Sequence, residues 1–161
     1  MKPNIITGAV LLAFASGQAM AQLPCPPNSL TAAALVTTLS GKYACAKRQP
    51  GNPATDIWNE LHQGTTALGG PIMDYKRGPG NPVDPSKVVG SYAIGKPTPD
   101  AVTYVYSDAS GISGPFSYFL SIVDNQGNPE LPGFLYCNVA TGERIPAIIS
   151  ATPIHAFCTA P

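Results

Sequence analysis

VTYVYSDASGISGPFSYFLSIV, residues 102–123, is the stretch whose reading decides the fold. Val102, Tyr104 and Tyr106 alternate with Thr103, Val105 and Ser107. After a break rich in Gly, Ser and Pro, Phe116, Tyr118, Leu120 and Ile122 alternate with Ser117, Phe119 and Ser121. A period of two places each set on one face of a β-strand. Two such runs joined by turn residues predict antiparallel neighbours.

Working outward, the same device recurs. Shorter runs at residues 43–46, 56–62, 72–76, 88–94, 134–139 and 144–149 read as strands, separated by segments rich in Pro, Gly and Asn. No segment between them is a helix long enough for a parallel crossover. One helix is expected ahead of the first strand, over residues 30–39. Asn28 or Ser29 would cap it, Leu30, Ala34, Val36 and Leu39 would form its buried stripe, and Gly41 would stop it. The expectation is an all-β, antiparallel, up-and-down sheet of eight strands with one short N-terminal helix. Such a sheet closes into a barrel because closure removes its exposed edges. At eight strands the interior is filled by side chains or admits one small ligand.

Gly41-Lys42-Tyr43, after a short helix and opening the first strand, resembles the Gly-x-Trp opening of lipocalin-like (calycin-type) barrels, with Tyr43 in place of tryptophan. The resemblance implies a closed barrel with the helix across one end and a ligand in the cup. It carries over no particular ligand.

The N-terminus reads as an export signal. Lys2 precedes an apolar run at residues 5–14, and Ala19-Met20-Ala21 supplies small residues for cleavage before Gln22. The run is far shorter than the ~20 residues of a membrane span. Residues 22–161 then form one domain, secreted or periplasmic. Its eight basic and nine acidic residues give no field that would attract nucleic acid or an anionic membrane. Four cysteines, Cys25, Cys45, Cys137 and Cys158, lie in that domain. In an exported chain they read as two disulfides, with all three pairings open.

Trp58, Glu60 and His62 share one strand face. Glu60 could orient the His62 imidazole for general base work. The pattern favours a solvent face, with Ile57 and Leu61 in the core and Trp58 a rim aromatic. Asp74 and His155 are the nearest further donors, too few for a metal site, so neither a metal nor a cofactor is expected. Tyr75, Tyr92, Tyr104, Tyr106, Tyr118 and Tyr136 all fall in expected strands. Tyr104, Tyr106, Tyr118 and Trp58 are the candidate ligand contacts. If both alternating sets turn inward, Tyr104 and Tyr118 meet in one interior layer. The proline-rich loop at residues 78–85, flanked by Lys76 and Arg77 and containing Asp84, is a stiff candidate contact surface for a partner.

No nucleophile elbow, phosphate loop or dinucleotide fingerprint occurs. The leading expectation is a monomeric exported binding module holding a small apolar or amphipathic ligand in a barrel. The alternative is an inhibitor or adhesin-like domain that binds protein through its loops. A hydrolytic or metal-dependent enzyme comes third.

Overall fold

One helix and eight strands follow in chain order: α1 (Ala32–Leu39), β1 (Tyr43–Lys47), β2 (Ile57–His62), β3 (Gly69–Asp74), β4 (Lys87–Ile94), β5 (Val102–Asp108), β6 (Gly111–Ile122), β7 (Phe134–Asn138) and β8 (Arg144–Ser150). The computed structural model describes residues 25–48, 57–64, 68–74, 87–108 and 111–153. The expected export segment, the loop carrying Lys76, Arg77 and Asp84, and Tyr75, His155 and Cys158 lie outside them. Each strand pairs antiparallel with the next, and β1 pairs with β8, so the sheet is a closed up-and-down barrel. Tyr43 stands opposite Ser150 and Ala46 opposite Ala147 at the closing seam. No helix among the described residues is long and apolar enough to cross a membrane.

The helix begins later than expected. Its cap is Thr31, not Asn28 or Ser29: the Thr31 hydroxyl accepts from the Ala34 N–H at 3.4 Å. The preceding residues are drawn to the sheet instead. Ser29 forms a bridge with Ser121, and the Leu30 N–H donates to the Leu120 carbonyl at 2.7 Å. The buried side chains are Leu35 and Leu39, one turn apart, so the stripe is rotated from the expected one. They pack with Ile72, Ile94, Val102 and Leu120 in the core cluster and close one end of the barrel.

Gly41 makes the junction from helix to barrel. Its φ of +69° is left-handed, which glycine adopts without steric cost. Its N–H donates to the His62 carbonyl at 2.8 Å, and the His62 N–H donates to the Lys42 carbonyl at 2.9 Å. The Gly-x-Tyr segment therefore ties the helix end to β2 as it starts β1. β3 begins at Gly69, ahead of the expected Ile72, because Gly69, Gly70 and Pro71 are paired to Ala93, Tyr92 and Ser91 on β4. Register shifts at Ile72/Met73 and between Tyr104 and Tyr106 bend the wall.

Cys25 and Cys137 form a disulfide with a Cα–Cα distance of 5.6 Å, joining the segment before α1 to β7. Cys45 is disulfide-bonded as well, and no cysteine among the described residues is free. The Cys25–Cys137 bond spans 112 residues, for which the chain-entropy model gives about 4–5 kcal/mol. The Cys25→Ser/Cys137→Ser double variant should lose about that much stability in guanidinium unfolding. A loss below about 1 kcal/mol would show that the crosslink leaves the unfolded chain nearly unrestricted.

Candidate ligand cavity in the barrel

Alternation around the closed sheet sends one face of every strand inward. On β1 that face carries Ala44 and Ala46, which pair with Glu60 and Trp58 on β2. Two small residues opposite two large ones leave room in the interior. Trp58, Glu60 and His62 consequently line a cavity, and the expectation that they form a solvent face is overturned. Ile57 is still buried, but in a separate small cluster with Cys45 and Ile148, which alternate with the cavity-lining residues of their strands. A strand with an apolar neighbourhood on both faces gives no clear inward side from its own pattern.

The cavity has a volume of about 440 Å³. Lys87 opens β4 at the end away from Ile94 and α1, and both Lys87 and Phe116 are exposed, so the cavity opens at the end opposite the helix. Its two walls differ. One is aromatic: Tyr104, Tyr106, Phe116, Tyr118 and Tyr136, from β5, β6 and β7. Tyr104 and Tyr118 meet with ring centroids 5.9 Å apart, Tyr118 and Tyr136 at 5.8 Å, and Tyr104 and Tyr106 at 6.1 Å. These spacings lie in the range of favourable aromatic pairing.

The other wall is charged. Glu60 stands directly opposite Asp74, and Asp74 opposite Lys87, in one row across β2, β3 and β4. Like charges directly opposite oppose each other across a sheet, and the Lys87 ammonium beyond them partly compensates. Glu60 is buried, with 7% of its surface exposed. The Tyr106 hydroxyl donates to its Oε2 at 3.2 Å.

Deeper in the barrel, His62 is 1% exposed. Its Nε2 lies 2.8 Å from the Tyr104 hydroxyl, which in turn donates to the Tyr136 hydroxyl at 3.2 Å. With that hydroxyl proton committed to Tyr136, the imidazole donates from Nε2, and Nδ1 is left without a direct hydrogen-bond partner. Burial pushes the His62 pKa down to about 4, an effect the Lys42 backbone partly offsets. The imidazole is neutral at neutral pH. Burial also raises Tyr104, Tyr106, Tyr118 and Tyr136, and the Glu60 charge adds to the rise in all four. All four phenols stay protonated.

The rim is built by the β7–β8 turn. The Asn138 side chain accepts from the Ala140 and Thr141 N–H groups at 2.9 and 3.0 Å, which fixes the turn leading to Glu143. Both Glu143 carboxylate oxygens accept from the Arg48 guanidinium, a bidentate pair. The Arg48 guanidinium lies 5.1 Å from the Trp58 ring centre, within cation–π range.

The cavity brings Trp58, Tyr104, Tyr106 and Tyr118 together. Lys76, Arg77 and Asp84 lie outside the described residues. Glu60, His62 and Asp74 share the cavity, but His62 bonds to Tyr104, so the carboxylate–imidazole pair that would orient a general base is not made. No group of three or more metal-ligating side chains occurs among the described residues. Sequence reasoning missed Arg48, Lys87 and the alanine pair. Of these only Ala44-Cys45-Ala46 carried a local signal, small residues alternating along a strand.

Comparison with protein-family models, with curated proteins and with solved structures finds no match for this chain.

The low pKa of His62 makes stability depend on pH. Between its unfolded value of 6.5 and its folded value of about 4, the unfolded chain binds the proton more readily. Stability is therefore complete above the unfolded value and falls as pH drops toward 4, by about 3 kcal/mol for this one group. Denaturant melts from pH 7 to 4 should show that slope in the wild type and a shallower one in His62→Gln. Equal slopes would place the acid sensitivity elsewhere.

Proposed function

We propose that this protein is an exported binding module that holds a small amphipathic ligand inside its barrel. The observation that carries the reading is the open cavity of about 440 Å³, with an aromatic wall facing a charged one. That volume lies in the range of small-molecule sites, which combine apolar and aromatic walls with convergent polar groups. Trp58, Tyr104, Tyr106 and Tyr118 are the contacts we assign to the apolar part of the ligand. The apolar segment at residues 5–14, the small residues before Gln22 and the Cys25–Cys137 disulfide support a site of action outside the cytoplasm.

Native mass spectrometry of protein isolated from its own source tests the reading. The expected spectrum carries a small-molecule adduct on the folded chain, released on denaturation. Ala46→Phe, which sets a ring into the cavity, should lose the adduct while keeping the barrel's circular dichroism. A ligand-free spectrum from fresh native material, or an adduct that survives in Ala46→Phe, would contradict binding in the interior.

A further inference from the structure

We infer that the cavity selects a ligand with a hydrogen-bond-accepting oxygen, of the carbonyl, ether or hydroxyl kind, on an aromatic or other apolar body, and that the Tyr136 hydroxyl receives that oxygen. This rests on the reading of the barrel as a binding module and adds the chemical class of the ligand.

The phenolic protons of the tyrosine wall are spoken for in different ways. Tyr106 gives its proton to Glu60 at 3.2 Å. Tyr104 gives its proton to the Tyr136 oxygen, also at 3.2 Å, and accepts at its own oxygen from His62. Tyr136 is the last member of this chain. It accepts one hydrogen bond, and its own O–H has no acceptor among the described residues. Burial raises its pKa, so the proton stays on the hydroxyl at neutral pH. The side chain lines the cavity with only 5% of the residue exposed. Neighbouring rings fix its place, with centroids 6.3 Å away for Tyr104 and 5.8 Å for Tyr118. The wall therefore presents one buried, preset donor to whatever occupies the cup.

In a solvent-filled cup that proton goes to water, and a ligand that fills the cup expels the water. A body without an acceptor then leaves a buried donor unpaired, which costs more than a formed hydrogen bond gains. A ligand oxygen takes the place of the water and avoids that cost. The chain sharpens the difference, because a hydroxyl that accepts a hydrogen bond becomes a stronger donor. Sites built around a buried hydrogen-bonding group reject analogues that lack the partner far more strongly than apolar walls reject a missing methylene.

Equilibrium dialysis of the mature protein with acetylnaphthalene, naphthylethanol and ethylnaphthalene tests this. Ethylnaphthalene is the most hydrophobic of the three, so affinities are compared between the wild type and Tyr136→Phe, which deletes the hydroxyl and keeps the ring. The affinity ratio of ketone to hydrocarbon should fall about tenfold in the variant, and the ratio of alcohol to hydrocarbon should fall with it. Constant ratios would overturn the inference, whether no probe responds or all three weaken together. Should Tyr136→Phe fail to fold, a crystal structure of the wild type with acetylnaphthalene decides. A ketone oxygen within hydrogen-bond distance of the Tyr136 Oη upholds the inference, and one turned to any other group overturns it. If the probes bind wild type but not Ala46→Phe and the ratios stay constant in Tyr136→Phe, the inference falls and the interior site stands. If none of the three binds, the inference falls, and the adduct measurement on native material decides the interior site separately.

Discussion

Pairing of β1 with β8 is the constraint from which the interior follows. Once Tyr43 to Ala46 lie against Ala147 to Ser150, the sheet has no edge and every strand has one face in a shared enclosure. No strand can then exchange its inner face for its outer one without a slip in register. A one-residue slip of β2 would place Ile57, Asn59 and Leu61 inside and move Trp58, Glu60 and His62 out. The observed register keeps a carboxylate and an imidazole in the interior. It answers their cost with hydrogen bonds to phenols: Tyr106 to Glu60, and His62 to Tyr104 to Tyr136. Buried polar groups are tolerated where such partners exist.

The two ends of the barrel are used differently. At one end Leu35 and Leu39 from α1 join Ile72, Ile94, Val102 and Leu120 in a filled aliphatic plug. The Gly41 turn fixes that plug, because it holds the helix end against the end of β2. Above it, alanines on β1 face the aromatic wall and leave space. The interior is thus filled over one half and open over the other. A packed floor beneath an open cup is an arrangement in which a ligand of the kind proposed would meet walls already in place.

Much of this fold was legible in the sequence, and the reason lies in β5 and β6. Their alternation pits Tyr104, Tyr118 and Leu120 against Thr103, Ser117 and Ser121, and one face is plainly the apolar one. β2 resisted the same reading because Ile57 finds burial on the outer wall with Cys45 and Ile148. Apolar residues on both faces left the polar set looking like the solvent side. The helix start was displaced because Ser29 and Leu30 bond to β6, a tertiary contact that no capping rule contains. Four cysteines leave the pairing open, since proximity of Cys25 to Cys137 depends on where β7 lies in the barrel. The rim was hidden for a similar reason. Arg48 and Glu143 are 95 residues apart and meet only because closure makes β1 and β8 neighbours.

The account's central claim is that the enclosed face of β2 and the tyrosines of β5 to β7 form one binding site. A crystal structure of the protein soaked with naphthylethanol tests it most directly. The account predicts ring density inside the barrel, against Tyr104, Tyr106 and Tyr118. Density confined to the outer wall, or a cavity holding only water at saturating probe, would contradict it.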